Sequence, residues 1–247
     1  MLRVWISIAL LIALPCSVSG ERAGKGFYSR NAFQIWDRVS GSPVSVVVRS
    51  PDHRSWVVAR YFDDSAKNVD EHVDLDVSGA IGTLHVNLGP GVASELLWAP
   101  DSEAFFVTTS DQGANGSYHL LVVGSFDEKL QSREIADLIY PVFGHPFRCS
   151  SPESPNIAGI AWSSKSHKLW VSAEVVSHSN CDSFGTFKAY EVDPARMEVV
   201  QVMGQLDAKR ALHPMLGPEL RHAPDNCIRN PRYCYVSTNH PELRPQR

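Results

Sequence analysis

Apolar residues fall in short runs separated by turn residues along most of this chain, and some of the runs, HVDLDV (72–77) among them, alternate apolar and polar positions with a period of two. SWVVARYFD (55–63), HVDLDV (72–77) and TLHVNL (83–88) form one set of runs. EAFFVTTSD (103–111), YHLLVV (118–123) and SREI (132–135) form a second, and KLWVSAE (168–174), FKAYEV (187–192) and MEVVQV (197–202) a third. A period of two sends successive side chains to opposite faces of an extended strand, so each run reads as a strand lining a core. One further apolar run precedes each set: VSVVVR (44–49), SELLWA (94–99) and IAGIAW (157–162). Helical periodicity is nearly absent, Leu206 to Leu212 being its best case. The pattern predicts an all-β chain built from four-stranded antiparallel units.

The junction between the first two strands of each unit repeats. Ser50-Pro51-Asp52, Ala99-Pro100-Asp101, Ser163-Ser164-Lys165 and Ala223-Pro224-Asp225 each lead into an apolar run, the last one after an insertion, into YCYVSTN (233–239). Pro presets φ for the first central position of a turn, and Asp bonds the backbone just beyond itself. The stretch Leu97-Trp98-Ala99-Pro100-Asp101-Ser102-Glu103-Ala104-Phe105-Phe106-Val107 resembles the blade signature of TolB-type β-propellers, an apolar-Trp-Ser-Pro-Asp-Gly turn followed by an apolar strand. Ser50 to Val58 and, more loosely, Ile160 to Val171 are similar, and the resemblance spans roughly 44–203 with a fragment at 223–238. Gly is missing after every Asp, with His53, Ser102 and Asn226 in its place. The resemblance implies propeller blades; it carries no catalytic residue.

Counted this way, the chain holds three full units and a fourth that ends before its outer strands, while AFQIWDR (32–38) is an orphan strand near the beginning. The expectation is a small propeller of about four blades in one domain, 21–247. Its N-terminal strand would pair with the C-terminal blade and so remove the open edges. Five blades and an open, partial propeller are the alternatives.

Export is expected as well. Met1-Leu2-Arg3 is a basic start, Val4 to Leu14 is apolar, and Pro15 to Gly20 is a small-residue exit, which together read as a signal peptide cut after Ser19 or Gly20. The apolar run is shorter than the roughly 20 residues that cross a bilayer. Leu14 and Pro15 ahead of Cys16 do not suit a lipid-anchor motif. Four cysteines remain beyond the leader, Cys149, Cys181, Cys227 and Cys234, an even number in a chain sent to an oxidising compartment. On propeller geometry Cys149 and Cys181 share one rim and Cys227 and Cys234 the other, so the expected disulfides are Cys149–Cys181 and Cys227–Cys234. Free buried thiols are the alternative; zinc is disfavoured because no pair has CxxC spacing.

The search for chemistry returns little. The chain has no GxSxG, HExxH, P-loop or GxGxxG pattern. Its histidines are scattered without i,i+4 pairs, and its 27 carboxylates are too many to single out a glycosidase pair by sequence. Asp74-Leu75-Asp76-Val77-Ser78-Gly79 imitates the start of a calcium loop, but the twelfth position is His85 where a Glu is wanted, and the run alternates like a strand. Trp36, Trp56, Trp98, Trp162 and Trp170 sit in strands and read as core. Asn115-Gly116-Ser117 has the form of a glycan acceptor. No cofactor or metal is expected. With Lys+Arg 23 against Asp+Glu 27 the net charge is −4, and no nucleic-acid partner is expected from that balance.

What remains is a surface for contact. The link from Leu138 to Asn156 is far longer than an ordinary connection and carries Tyr140, Phe143, His145, Phe147 and Arg148, a composition suited to a binding hot spot. Covering the end of the core is the plainer role for its aromatics. On the same rim are expected the acidic loop of Asp63, Asp64, Asp70 and Glu71 and the loop of His178 and Asp182, which suits a basic partner. Three functions fit: an exported, non-enzymatic protein, periplasmic or secreted, holding a protein partner on one rim, of the inhibitor, immunity or envelope-assembly kind; a glycan-binding or glycan-cleaving propeller; or a structural accessory domain without ligand.

Overall fold

The computed structural model describes residues 26–37, 45–64, 69–89, 93–110, 118–143, 154–163, 167–175 and 185–224. Its elements in chain order are β1 (Phe33–Asp37), β2 (Ser45–Arg49), β3 (Ser55–Asp64), β4 (Val69–Gly79), β5 (Leu84–Asn87), β6 (Ala93–Trp98), β7 (Ala104–Ser110), β8 (Tyr118–Phe126), β9 (Lys129–Glu134), α1 (Ala136–Phe143), β10 (Asn156–Trp162), β11 (Leu169–Glu174), β12 (Phe187–Asp193), β13 (Glu198–Met203), α2 (Gln205–Ala211) and α3 (Pro218–His222). The strands form three antiparallel sheets, ordered β2-β3-β4-β5, β1-β6-β7-β8-β9 and β10-β11-β12-β13. Mostly β structure in antiparallel sheets agrees with the all-β expectation, and each predicted set of runs becomes one sheet. The stretch Leu206 to Leu212, the best case of helical periodicity in the sequence, falls largely in α2.

The repeated turn folds alike in each unit. Ser50 N–H donates to the Ser55 carbonyl and His53 N–H to the Ser50 carbonyl, both at 2.9 Å. The second unit repeats this with Ala99 to Ala104 at 2.8 Å and Ser102 to Ala99 at 3.0 Å; the third keeps Ser163 to Lys168 at 2.8 Å. The Asp does what its place predicts: Asp52 Oδ1 accepts Arg54 N–H at 3.0 Å and Asp101 Oδ1 accepts Glu103 N–H at 3.1 Å. The Ser50 hydroxyl, with that Arg54 N–H, holds the Asp52 carboxyl below its usual range. The positions where the propeller signature carries Gly are left-handed here, His53 at φ +59° and Ser102 at φ +68°, so the turn keeps the glycine conformation without the glycine.

Each sheet packs on the next through the faces its alternation leaves apolar. Val57, Val73, Leu75 and Val77 of the first sheet meet Leu96, Phe105, Val107 and Val123 of the second. The other face of the second sheet, with Phe106, Leu120 and Val122, meets Ile157, Leu169, Val171 and Tyr190 of the third. Buried on both sides, β7 and β10 are buried at every position, whereas β5 of the first sheet alternates. The tryptophan before each later turn reaches back to the preceding sheet: Trp98 Nε1–H donates to the Val48 carbonyl at 3.4 Å and Trp162 Nε1–H to the Leu97 carbonyl at 3.0 Å. Both acceptors stand two residues ahead of their own turn. Arg49 occupies the tryptophan position in the first unit and His222 in the fourth, so among the described residues this link joins the three sheets and goes no further.

The two outer faces of the stack end differently. On the third sheet, Ala158, Ile160, Trp170 and Phe187 are covered by Ala208 of α2, by Leu212 and Leu216, and by Leu220 of α3. On the first sheet the outward face carries His72, Asp74, Asp76 and His85 together with the exposed Val47 and Phe62. The expected closure by strand pairing is therefore corrected: β1 pairs with β6 at the edge of the second sheet, Phe33 opposite Leu96, because Ile35 belongs to the core between the first two sheets. The first and last described segments meet through a bridge between Ser29 and Leu216. The helix α3 stands where a strand would precede the fourth turn. The long link expected at 138–156 begins as helix: Ile139 and Phe143, four apart, bury one side of α1. The carbonyl of Asp137, which Pro141 cannot serve, lies on the exposed side where water can. The four cysteines and the signal segment lie outside the described residues.

Gly159 sits where β10 crosses the second sheet, and a Cβ there would stand 2.5 Å from Cε2 of Phe106. Gly159→Ala is expected to destabilise by about 1–3 kcal/mol in urea denaturation, because Phe106 is enclosed and cannot move aside. His53→Gly is expected to stabilise by up to about 1 kcal/mol by relieving the left-handed residue. Ser102→Gly gains less in the same assay, because the Ser102 hydroxyl accepts Asp52 N–H from the neighbouring turn at 3.1 Å.

Candidate functional site

Among the described residues three groupings of chemistry-bearing side chains emerge, one buried and two exposed. The buried one forms where the segment Gly26 to Ala32 lies between the C-terminal turn and the ends of β6 and β11. On one side the segment is tied by backbone bonds: Arg30 N–H to the Met215 carbonyl at 2.9 Å, Gly217 N–H to Tyr28 at 2.6 Å and Glu219 N–H to Phe27 at 3.1 Å. A Cβ on Gly217 would strike the Phe27 carbonyl, so this approach requires glycine. On the other side Glu95 of β6 accepts Tyr28 N–H on Oε2 at 3.3 Å and Ser29 N–H on Oε1 at 3.1 Å. The Tyr28 hydroxyl donates to Glu174 Oε2 at 3.0 Å and accepts from Asn156 Nδ2 at 3.2 Å. Asn156 opens β10 and Glu174 closes β11, and the two are register partners. Tyr118 stacks edge-on against Tyr28, ring centroids 4.9 Å apart.

Both glutamates are 1% exposed. Burial pushes each carboxyl up to about 8, and the nearby charge of Glu219 acts on Glu174 in the same direction. Burial also raises the Tyr118 phenol to about 12 and the Tyr28 phenol well above its usual value. Among the described residues Glu174 Oε1 has no hydrogen-bond partner. Both carboxyls accept hydrogen bonds from the Tyr28 segment.

The first exposed grouping lies on the outward face of the first sheet. Because Val73, Leu75 and Val77 point inward, His72, Asp74 and Asp76 point out, and the β4–β5 register sets Asp76 opposite His85 and Asp74 opposite Asn87. His85 Nδ1 lies 2.9 Å from Asp76 Oδ1, Asn87 Nδ2 donates to Asp74 Oδ1 at 2.8 Å, and Arg60 pairs with Asp76. His72 lies 3.6 Å from Asp74 and stacks on Phe62 at 4.9 Å. Asp74 and Asp76 are therefore members of a strand, and His85 meets them across a hairpin, not along a calcium loop. A third set, Asp101, Glu103 and His167, joins the turns of the second and third sheets, its donor atoms within 4.8 Å of one another. His167 uses both ring nitrogens there, Nδ1 toward Asp101 at 3.1 Å and Nε2 toward Glu103 at 3.8 Å, which is the arrangement of a surface ion pair.

Of the residues singled out by sequence, Tyr140 and Phe143 fall in α1. Phe143 is 6% exposed in the core between the second and third sheets, and Lys188 Nζ lies 5.8 Å from its ring. Burial lowers the Lys188 pKa. Phe143 thus has the core-covering role, and its ring is closed to a partner. Asp63 and Asp64 end β3 beside Phe62. His145, Phe147, Arg148, His178, Asp182 and the pairings Cys149–Cys181 and Cys227–Cys234 lie outside the described residues. Sequence reasoning missed Glu95 and Glu174; the available signal was a charged residue inside an otherwise apolar strand run, SELLWA and KLWVSAE.

Comparison with protein-family models, curated proteins and solved structures found no match to this chain. Among the described residues no helix is long and apolar enough to cross a membrane.

Tyr28→Phe is expected to cost about 1–3 kcal/mol in chemical denaturation, since it strips a buried partner from both Glu174 and Asn156 and returns no water to them.

Proposed function

We propose that the protein is an exported, non-enzymatic binding protein, periplasmic or secreted, that holds a basic protein partner. The observation that carries this reading is the outward face of the first sheet, which no element among the described residues covers. Phe62 is 40% exposed and Val47 44%, and around Phe62 stand Arg60, His72, Asp74, Asp76 and His85. An accessible aromatic ring within a polar, net acidic field is the composition of a contact centre with a charged rim. Asp63 and Asp64 close β3, and Asp70 and Glu71 stand near the start of β4; we count them as contact residues of the same acidic surface. We place Tyr140, His145, Phe147, Arg148, His178 and Asp182 on that same rim as further contact residues, with the Cys149–Cys181 bridge steadying it.

The three sheets are, on this reading, consecutive propeller blades, supported by the common turn and by the tryptophan bond to the preceding sheet. An outward face on the first blade that carries His72, Asp74, Asp76 and His85 suits the open, partial propeller better than a ring closed against that face. The buried pair Glu95 and Glu174 is the one feature that speaks for a glycan-cleaving centre. A catalytic acid must reach its substrate, however, and both oxygens of Glu95 are taken by backbone N–H groups.

A pull-down from the envelope extract of the producing cell with the signal-free protein as bait tests the reading. One basic protein is expected to be enriched, with recovery falling as salt rises. Phe62→Ala and the double change Asp63→Lys, Asp64→Lys should each cut recovery by about tenfold or more without lowering thermal stability. Recovery that ignores both variants would overturn the assignment, and so would hydrolysis of glycans lost in Glu174→Gln.

A further inference from the structure

Hydrogen bonds run short where the ends of β7, β8, β10 and β11 meet under Tyr28. Among the described residues seven buried side-chain atoms lack a hydrogen-bond partner, and four of them belong here: Glu174 Oε1 and the hydroxyls of Ser29, Ser110 and Thr186. Each of these residues is 1% exposed or less, so bulk water does not serve them. The fold brings them together. Ser110 is the register partner of Tyr118, whose N–H donates to Asn156 Oδ1 at 3.2 Å, and Asn156 is the register partner of Glu174. Thr186 precedes Phe187, the β12 partner of Glu174, and Ser29 follows Tyr28, whose hydroxyl sits on Glu174 at 3.0 Å.

Positive charge runs short in the same place. Backbone N–H groups donate to Glu95, and the Tyr28 hydroxyl and the Asn156 amide donate to Glu174. Every one of these bonds is given to the carboxyl, which is how an ionised carboxylate is held. Glu219 of α3 stands close enough for its charge to act on Glu174. Among the described residues no Lys, Arg or His forms an ion pair with any of the three. Buried negative charge without a counter-charge is costly, and an oxygen sealed away without a donor adds to the cost. A water molecule would give Oε1 a hydrogen and leave the charge as it is. A cation answers both deficits.

We propose that this junction is a binding site for a hard divalent cation of the calcium type, held by Glu174 Oε1 and the Ser110 hydroxyl, with Glu95 and Glu219 adding their charge. The ion class follows from the atoms. The donors are carboxylate and hydroxyl oxygens, which suit calcium, whereas zinc and copper favour nitrogen and sulfur. Calcium also accepts irregular shells of oxygen, some of them from water, so ligands drawn from separate strand ends can serve it. The exposed trio Asp101, Glu103 and His167 is a different case, because its members already balance one another as an ion pair. An ion at the buried junction would tie the ends of β7 and β11 to the Tyr28 segment and so steady the place where the first and last described segments meet.

Calorimetric titration of the chelator-treated, signal-free protein with calcium chloride tests the site, alongside thermal melting with and without the ion. One calcium per chain is expected, and the melting temperature should rise by about 5 °C or more once calcium stands about a hundredfold above its Kd. Glu174→Gln keeps an oxygen for the Tyr28 hydroxyl but removes the charge, and should weaken binding by about a hundredfold; Ser110→Ala should weaken it by about tenfold. His167→Ala, which dismantles the exposed trio, should leave the affinity unchanged. Absence of both heat and melting shift up to about 10 mM calcium, the result for a junction served by water alone, would overturn the proposal. So would an affinity that is unaltered in Glu174→Gln or that is lost in His167→Ala. Should Glu174→Gln fail to fold, Ser110→Ala against the wild type decides in its place.

Discussion

A sheet with apolar side chains on both faces is stable in water only if something covers each of them, and the architecture follows from how that requirement is met. The second sheet has two such faces, with Phe105 turned to the first sheet and Phe106 to the third. It can exist only as the middle layer. The indole bonds of Trp98 and Trp162 then fix the spacing, because each reaches a backbone carbonyl of the neighbouring sheet. The stack closes on one side with helices that cover Trp170 and Phe187, and on the other with a face that carries His72, Asp74, Asp76 and His85 beside Val47 and Phe62. Neither ending exposes a wholly apolar sheet, and they leave the first sheet available for contact.

The same need for cover explains the buried carboxylates. The ends of β6, β8, β10 and β11 converge under the N-terminal segment, whose backbone N–H groups would otherwise be shut away without acceptors. Glu95 supplies those acceptors and Glu174 anchors the tyrosine ring that fills the space. The cost is two acids held well away from their ordinary titration. A feature that resembles the raised carboxyl pair of a hydrolase is thus accounted for by the seating of the Tyr28 segment.

Much of this was readable in advance. The apolar runs SWVVARYFD and HVDLDV were readable as strands, and the alternation of the second shows its inward residues Val73, Leu75 and Val77, whereas Trp56, expected in the core, is only half-buried and outside it. The Pro-Asp turns were readable because their geometry is local, including the left-handed position filled by His53 and Ser102. The partner of β1 was not readable: AFQIWDR has the same pattern whether it joins the last unit or the second. Nor was α1, where Pro141 breaks the helical signal although the burial of Ile139 and Phe143 outweighs it.

Local backbone chemistry therefore settled which residues form strands and turns, the order of the units and the class of the fold, since those depend on neighbours within a few positions. Which strand adjoins which sheet, which histidine meets which aspartate and which glutamates lose their water depended on residues tens of positions apart. Glu95 and Glu174 make the point: in the chain they are two acids among 27. They became singular only when Tyr28 was laid across both and the solvent was excluded, because a carboxyl's affinity for its proton is a property of its surroundings.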